Sequence, residues 1–420
     1  MDFIDVKVVE KKEGLVEISP VFLVTRSTDL MVKGRSFYAV WDEEAGLWST
    51  DDYDVQRLVD SKLREYADRY DGISKSVKYM LAYDSGSWPM FQRYLTNLSD
   101  NAHDLDGRLI FADQEPKKTD YATKRLPYSL EDGDHSAWDE LLGVLYGPEE
   151  RDKIEWAIGS VMAGESKHLQ KFLVFYGPSG TGKSTILNII QKLFEGYTAV
   201  FDAKALGSSS QQFSTEVFKH NPLVAIQHDG DLSKIEDNTK LNSIISHEDM
   251  LVNEKYKAGY MTKINAFLFM GTNTPVKISD AKSGLIRRLI DVEPTGNKLP
   301  PRVYKKLMKQ VEFEYGAIAK HCLDKYKIMG FDYYDGYRPT SMMYKTDPVL
   351  NFISDNYDFF SSQEYIPMKQ VYDLYKRYVE EAGVEKPISR QKLQNELGNY
   401  FNEFHDRIIT DDGERKRSVF

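Results

Sequence analysis

The chain has 420 residues, 41% of them hydrophobic and 29% charged, a composition typical of globular proteins with sizeable cores. Its formal net charge of −10 argues against a protein that coats nucleic acid over its whole surface, although local basic patches remain compatible with it. The single cysteine, Cys322, excludes an intramolecular disulfide and a cysteine-based zinc site, and we expect it to be a small buried residue of a helix. No signal peptide or membrane-spanning run is recognisable, so we expect a cytoplasmic protein without membrane contact.

Residues 1–105 are predicted to form a small mixed α/β domain. The apolar runs at residues 36–41 and 46–49 indicate two strands joined by a polar turn. A helix with one apolar face follows, and the acidic pair at residues 51–52 marks its start, because carboxylates are favoured at a helix N-terminus. Nothing in this domain indicates catalysis.

Residues 106–170 contain a loop and then two helices, predicted at residues 137–146 and 148–163. Helices that precede a nucleotide-binding core can pack against that core or form an oligomerisation collar. The sequence leaves both roles open.

The next segment carries the strongest motif of the chain. A short apolar run, residues 172–176, leads into G-x-x-x-x-G-K-S and then into an amphipathic helix predicted at residues 183–194. A strand, a glycine-rich loop and a helix in this order are typical of a P-loop: backbone N–H groups surround the β-phosphate, Lys183 reaches the β- and γ-phosphates, and Ser184 binds Mg²⁺. The predicted nucleotide-binding residues are Gly177, Pro178, Ser179, Gly180, Thr181, Gly182, Lys183, Ser184 and Thr185.

Two further apolar strands end in polar side chains. The strand that starts at about residue 223 is followed by Asp229 and Asp231, the Walker B pattern in which carboxylates hold the Mg²⁺ shell and polarise the attacking water. The strand at residues 266–270 leads to Asn273. An amide at this position can hydrogen-bond the γ-phosphate and its water, so we expect Asn273 to act as a sensor.

Two arginines, Arg287 and Arg288, precede the next apolar strand. An arginine that is presented to the γ-phosphate of a neighbouring subunit can accelerate hydrolysis by about 10³–10⁵. The pair is therefore a candidate source of an arginine finger.

Together these motifs resemble those of superfamily 3 helicases, and more particularly the phage and plasmid primase-type branch that is shared with poxvirus primase-helicases. The resemblance extends from about residue 108 to residue 294. It implies that Lys183 is the nucleotide lysine, Ser184 the Mg²⁺ ligand and Asn273 the sensor.

The resemblance also bears on two positions near the γ-phosphate. In the family the arginine that directly starts the following strand is the finger, which implies Arg288 as first choice and Arg287 as second. Many relatives have two adjacent acids at the end of the acidic strand, whereas this chain has His228 and Asp229, with Asp231 as the next acid. Either Asp229 and Asp231 together hold the Mg²⁺ shell and polarise the attacking water, or hydrolysis is slow.

Family members also carry a DNA-gripping hairpin between the acidic strand and the sensor, and residues 251–263 occupy that place. Near its tip, Lys255 and Lys257 flank Tyr256, so the segment offers phosphate contacts and an aromatic surface to a single strand. A plain surface hairpin would carry similar residues.

Residues 346–420 are predicted to form a winged helix. Three helices, the third opened by Ser389 as N-cap, precede a hairpin whose second strand carries Arg415, Lys416 and Arg417. The third helix could enter a groove while the basic side chains of the wing contact phosphates. Winged helices also dock proteins, and the sequence does not decide between the two roles.

The predicted fold is α/β, with a P-loop, AAA+-like core around a central parallel sheet. A helical collar and a small N-terminal α+β domain precede the core, and a winged helix follows it. The predicted domains are residues 1–105 (N-terminal domain), 106–170 (collar), 171–295 (ATPase core), 296–345 (helical connector) and 346–420 (winged helix).

The predicted function is that of an ATP- and Mg²⁺-dependent DNA helicase or translocase. We expect it to form a hexameric ring and to act on single-stranded or forked DNA during replication of a phage or mobile element. One alternative is a replication initiator or loader that uses ATP as an assembly switch. Another is the helicase part of a primase-helicase system, whose primase would be a separate chain because residues 1–105 show no recognisable primase domain.

Overall fold

The computed structural model describes residues 1–82, 84–208, 211–230, 238–253, 260–275, 284–340, 342, 348–362, 365–381, 387–398, 400–401, 404–409 and 415–419. The chain divides into two compact units, residues 1–132 and residues 133–420. Each unit has an apolar core of its own. Among the described helices, none combines the length and the apolar character that crossing a bilayer requires.

The described residues of the N-terminal unit form two small sheets, two α-helices and short connecting turns. Its elements are β1 (Ile4–Glu10), β2 (Val16–Phe22), β3 (Leu30–Lys33), β4 (Ser36–Asp42), β5 (Leu47–Ser49), α1 (Asp52–Asp68), β6 (Lys75–Val77) and α2 (Ser87–Leu95). β1, β2 and β6 form one sheet, and β3, β4 and β5 form an antiparallel one. The two predicted strands are confirmed as β4 and β5. Asp51 caps α1, since its carboxylate accepts a hydrogen bond from the Tyr53 N–H at 2.8 Å.

This unit extends beyond the predicted boundary at residue 105 and ends at Asp132. The Trp48 indole N–H donates to Lys118 O at 2.9 Å, and the Trp48 backbone N–H donates to Ala122 O at 2.9 Å. These contacts join residues that lie far apart in the sequence, which composition and periodicity do not reveal. The part of the predicted collar at residues 106–132 therefore belongs to the N-terminal unit.

The second unit contains a parallel sheet with helices around it. Up to its long helix, the elements are α3 (Ser136–Leu145), α4 (Pro148–Met162), β7 (Phe172–Tyr176), α5 (Lys183–Leu193), β8 (Thr198–Val200), α6 (Ala203–Leu206), β9 (Val224–Gln227), α7 (Thr239–Ile245), β10 (Asp249–Val252), β11 (Tyr260–Lys263), β12 (Phe267–Thr272), β13 (Leu289–Val292) and α8 (Pro301–Met329). In the described part of this unit, five strands form one parallel sheet in the order β13-β7-β12-β9-β8. Every residue of β9, β12 and β13 is buried, as expected for a parallel sheet that is covered on both faces. The α/β class and the central parallel sheet are confirmed.

The parallel arrangement brings the ends of three strands to one edge of the sheet. The carboxyl ends of β7, β9 and β12 share this edge, which is where open α/β sheets bind ligands. The Gly230 N–H donates to Gly271 O at 2.8 Å and so ties the segment after β9 to β12. At the opposite edge, the start of β13 pairs with the start of β7, with Leu289 beside Phe172.

Two of the helices that flank the sheet, α4 and α8, pack very closely against each other. A Cβ built on Gly159 of α4 would lie only 2.1 Å from the carbonyl oxygen of Cys322 in α8. Cys322 is buried in this contact, as predicted. The helices predicted at residues 137–146 and 148–163 are confirmed as α3 and α4.

The C-terminal part of the second unit has its own apolar cluster. Its elements are α9 (Pro348–Asp355), α10 (Tyr357–Ser361), α11 (Met368–Glu381), α12 (Arg390–Leu397), β14 (His405–Ile409) and β15 (Arg415–Val419). Ser389 caps α12 as predicted, because its hydroxyl accepts a hydrogen bond from the Lys392 N–H at 3.3 Å. β14 and β15 form an antiparallel hairpin.

Candidate nucleotide site

The glycine-rich loop connects β7 to α5, and both elements lie where the motif predicts them. Gly182 precedes the helix with a φ of 90°, a left-handed conformation that favours glycine. Gly177 lies against Pro294, because a Cβ on Gly177 would be 2.8 Å from Pro294 Cγ. The N–H groups in the first turn of α5 have no intrahelical acceptor, and together with the helix dipole they favour an anion in front of the helix.

Lys183 is buried, and its ammonium group lies at the centre of the site. Lys183 Nζ donates to Gly177 O at 2.6 Å, to Pro178 O at 2.9 Å and to Asn273 Oδ1 at 2.8 Å. Burial lowers the pKa of Lys183, and the nearby Asp229 carboxylate opposes this shift. The ammonium therefore already has oxygen acceptors around it, the type of atom that a phosphate would present.

Asn273 connects this lysine to the acidic strand end. Its Oδ1 accepts the hydrogen bond from Lys183, and its Nδ2 donates to Asp229 Oδ1 at 3.3 Å. The two strand ends meet because β9 and β12 are parallel neighbours. The structure thus brings together Lys183, Asn273 and Asp229, three of the predicted catalytic residues. Asp231 lies outside the described residues.

A cavity of about 370 Å³ lies over the loop. It is lined by Leu145, Ser179, Gly180, Gly182, Lys183, Ser184, Thr185, His228, Asp229, Asn273, Lys298, Leu299 and Tyr304. Ser184 and Asp229 are both exposed in it, and hydroxyl and carboxylate oxygens are the hard ligands that Mg²⁺ prefers. These residues fit the metal that the motif implies. His228 stands where the resemblance leads one to expect a second acid.

Four lining residues come from segments in which the sequence indicated no site: Leu145, Lys298, Leu299 and Tyr304. Leu145 ends α3, and the others lie at the start of α8 or in the connection before it. The Tyr304 hydroxyl lies 3.2 Å from Thr185 Oγ1 and links α8 to the first turn of α5. Lys298 could not be assigned to the site from the sequence, because a lysine between a strand and a helix is common and no spacing rule relates it to the glycine-rich loop.

Arg288 is only 7% exposed and is bound within its own chain. Its Nη1 donates to Gly284 O at 2.7 Å, and its Nη2 donates to Ser246 Oγ at 2.6 Å. Burial lowers the pKa of Arg288, and neighbouring Arg287 adds to that effect. To reach another molecule, Arg288 would have to leave these partners, so the expectation of Arg288 as first-choice finger has no support in this geometry.

Arg287, in contrast, is exposed, and its backbone is fixed because Lys171 Nζ donates to Arg287 O at 2.6 Å. Both arginines precede β13, whose start pairs with the start of β7, whereas the glycine-rich loop follows the end of β7. A strand the length of β7 separates the two edges by roughly 13–16 Å. This separation is more than an arginine side chain spans, so Arg287 does not reach the cavity of its own chain.

The residues expected to contact DNA are described only in part. Lys255, Tyr256 and Lys257 lie outside the described residues, and the flanking strands β10 and β11 form the antiparallel stem of the predicted hairpin. The backbone of residues 415–417 belongs to β15, the second strand of the C-terminal hairpin. Of the positions expected to contact DNA, those that are described therefore lie on a hairpin strand.

Two segments of the chain match known protein families. Residues 175–288 match a family of unknown function, DUF5906, and residues 345–417 match the poxvirus D5 protein-like family. Among solved structures, the A form apo structure of the NrS-1 C-terminal region is similar at 16% identity with a TM-score of 0.45, over 69% of this chain and 77% of that chain. An apo structure of NrS-1 residues 305–718 is similar at 14% identity with a TM-score of 0.45, over 69% of this chain and 76% of that one.

Proposed function

We propose that this protein binds and hydrolyses ATP in the presence of Mg²⁺ and uses the energy to move along DNA as a ring-forming helicase of the superfamily 3 type. The observation that carries the ATP site is the convergence of Lys183, Asn273 and Asp229 on one cavity beside a glycine-rich loop. Three segments that are far apart in the sequence supply these side chains. A structural ion pair alone would not need the loop or the exposed Ser184 hydroxyl beside it.

In this proposal the loop N–H groups and Lys183 hold the β- and γ-phosphates, and Lys183 exchanges its bonds to loop carbonyl oxygens for bonds to phosphate oxygens. Mg²⁺, held through Ser184 and Asp229, would neutralise charge on the phosphates when it is bound. Asn273 lies between Lys183 and Asp229 and orients the water that attacks the γ-phosphate. Asp229 accepts hydrogen bonds from this water or from the metal shell.

We assign the arginine finger to Arg287 of an adjacent subunit. Arg287 is exposed, whereas Arg288 is held by Gly284 and Ser246 of its own chain. Because Arg287 lies at the opposite edge of the sheet from its own cavity, hydrolysis in this proposal needs a second copy of the chain. A closed ring, for which we propose a hexamer, satisfies that need at every interface.

The nucleic-acid part of the proposal is supported by the match of residues 345–417 to the poxvirus D5 protein-like family and by the resemblance of the motifs to primase-type helicases. Lys255, Tyr256 and Lys257 would contact single-stranded DNA in the central channel. Residues 415–417 would contact phosphates, with single-stranded or forked DNA as the substrate. A separate primase and other replication proteins are the expected partners.

A second candidate function is an ATP-switched replication initiator or loader that does not unwind DNA processively. His228, which lines the cavity where an acid is expected, favours it. A neutral imidazole is a poor Mg²⁺ ligand compared with a carboxylate, and slow hydrolysis suits an assembly switch better than a motor.

The experiment that tests the proposed function measures ATP hydrolysis with and without single-stranded DNA for the wild type, Lys183→Ala and the control Lys192→Ala. Lys192 is an exposed lysine on the same helix, paired with Glu195. We expect DNA to stimulate ATP hydrolysis by the wild type and by Lys192→Ala. Lys183→Ala should hydrolyse ATP at least about 100-fold more slowly, since the variant loses several kcal/mol of interaction with the phosphates. Equal hydrolysis by all three proteins would contradict the site.

A further inference from the structure

The cavity contains a second basic side chain, Lys298, which no motif identified. Lys298 lies in the connection between β13 and α8 and lines the cavity. Its Nζ is 4.0 Å from the position that a Cβ on Gly180 would take. The ammonium group therefore lies beside the glycine-rich loop, in the space where a polyphosphate would be bound.

The segment before Lys298 is fixed to the end of α3. The Thr295 N–H donates to Leu145 O at 2.8 Å, and the Thr295 hydroxyl donates to Val144 O at 2.8 Å. The Asn297 N–H donates to Thr295 Oγ1 at 3.1 Å and closes the turn. These hydrogen bonds fix the backbone immediately before Lys298, so the lysine is attached to a restrained segment.

The connection also contacts the glycine-rich loop before Lys298 and helix α5 after it. Pro294 packs against Gly177 so closely that a Cβ there would be 2.8 Å from Pro294 Cγ. After Lys298, α8 begins at Pro301, and the Tyr304 hydroxyl lies 3.2 Å from Thr185 Oγ1. Lys298 is thus presented over the loop by a segment that contacts the glycine-rich loop at its beginning and the first turn of α5 at its end.

The charge of a nucleoside triphosphate explains why a second lysine is useful here. At neutral pH the triphosphate carries about four negative charges, of which Mg²⁺ and Lys183 balance about three. Lys298 is exposed, and within the described part of the chain it has no ion-pair partner. Its cationic group can therefore turn to a phosphate without giving up an ion pair to any of the described residues.

We propose that Lys298 is a second polyphosphate-binding residue of the cavity, contacting the bound nucleotide in addition to Lys183. This inference rests on the proposed ATP site and adds to it a residue from outside the glycine-rich loop. It also gives the connection from Pro294 to Tyr304 a function, which is to hold that lysine over the phosphates.

The test is the equilibrium affinity for ATP and for ADP with Mg²⁺, measured by calorimetry on Lys298→Ala, Lys298→Arg and Lys309→Ala. Lys309 is an exposed lysine of α8 that does not line the cavity. We expect Lys298→Ala to raise the Kd for ATP about tenfold, the effect of losing one charge-assisted hydrogen bond. Lys298→Arg should stay within about threefold of the wild type, since it keeps the charge, and Lys309→Ala should not change the affinity.

The outcome also separates this inference from the proposed function. If Lys183→Ala loses ATP binding but Lys298→Ala binds within about twofold of the wild type, the ATP site stands and Lys298 is an ordinary surface lysine. If the wild type binds neither nucleotide, both the proposed function and this inference fail. Thermal unfolding of each variant, expected to match the wild type, excludes misfolding as the cause of a loss.

Discussion

Asn273 hydrogen-bonds two other residues of the candidate site, Lys183 and Asp229. Its side-chain amide accepts a hydrogen bond from Lys183 and donates one to Asp229, so one residue that follows β12 connects the Lys183 ammonium group to the acidic segment after β9. The sequence predicted these residues because each directly follows an apolar strand or a glycine-rich turn. It could not predict that Arg288 is buried, because the partners Ser246 and Gly284 are brought to it by the tertiary fold.

We predict that Asn273→Ala lowers kcat for ATP hydrolysis by about 10²-fold and leaves the Kd for ATP within about threefold of the wild type. The physical reason is that the loop N–H groups and Lys183 still hold the phosphates, while the attacking water loses its orienting amide. Steady-state kinetics combined with calorimetry separates the two effects. A large loss of affinity with unchanged kcat would contradict the role of Asn273 in hydrolysis.

The two arginines should behave differently. We predict that Arg287→Ala binds ATP normally and keeps the wild-type unfolding temperature, but hydrolyses ATP about 10³-fold more slowly than the wild type. Arg288→Ala should instead lower the unfolding temperature, because it leaves Gly284 O and Ser246 Oγ without their buried donor. If Arg287→Ala hydrolyses ATP at the wild-type rate, the finger is not Arg287.

At the scale of elements, the contact between α4 and α8 sets a strict limit on one side chain. Gly159 lies against the backbone of α8, with the Cys322 carbonyl oxygen only 2.1 Å from where a Cβ would be. The sequence predicted α4 from its helical periodicity. The need for glycine at residue 159 depends on how two helices cross, which periodicity does not determine.

We predict that Gly159→Ala destabilises the second unit by about 1–3 kcal/mol through overpacking. Gly143→Ala is the matched control, since Gly143 is an exposed glycine of α3 whose Cβ would meet only Arg151 Nη1, at 3.6 Å. The control should be neutral or slightly stabilising, because alanine has the higher helix propensity. Urea unfolding measures both, and equal stability of the two variants would contradict the close contact.

The helices α3, α4 and α8 also share a charged cluster around His321, whose Nε2 lies 3.3 Å from Glu155 Oε1. The Glu155 carboxylate is the main cause of the raised pKa of His321 and Asp139 adds to the effect, whereas burial and Lys325 oppose it. A raised pKa means that the folded state binds the proton more tightly. The stabilisation is therefore fully present below the unfolded pKa of about 6.5 and is lost as the pH rises through the folded pKa.

We predict that raising the pH from about 6 to about 8 lowers the unfolding temperature of the wild type relative to that of His321→Gln, because only the wild type loses this stabilisation over the range. Differential scanning calorimetry at several pH values measures this difference. Parallel curves for the two proteins would show that His321 does not contribute through its protonation.

At the scale of the whole molecule, the parallel sheet places the candidate nucleotide cavity and Arg287 at opposite edges. The α/β class, the order of motifs and most of the helices and strands could be predicted from the sequence, since apolar periodicity and glycine-rich turns are local signals. The end of the N-terminal unit at Asp132 and the presence of Leu145, Lys298 and Tyr304 in the cavity could not, because they depend on long-range packing.

The separation of cavity and arginine predicts complementation between two inactive variants. In a mixture of Lys183→Ala and Arg287→Ala subunits, about one interface in four pairs an intact cavity with an intact arginine if assembly is random. We expect ATP hydrolysis to reappear on mixing, although each variant alone is inactive. No recovery on mixing, with mixed assemblies demonstrated by differently tagged subunits, would mean that the arginine does not act across subunits.

The central claim, that ATP hydrolysis drives movement on DNA, is tested most directly by unwinding of a forked duplex with ATP. The wild type should open the fork, and Lys257→Ala should hydrolyse ATP at its basal rate without opening it, because the DNA contact at the hairpin is lost while the ATP site is intact. ATP hydrolysis by the wild type that is slow, independent of DNA and accompanied by no unwinding would contradict the motor and favour the ATP-switched initiator or loader.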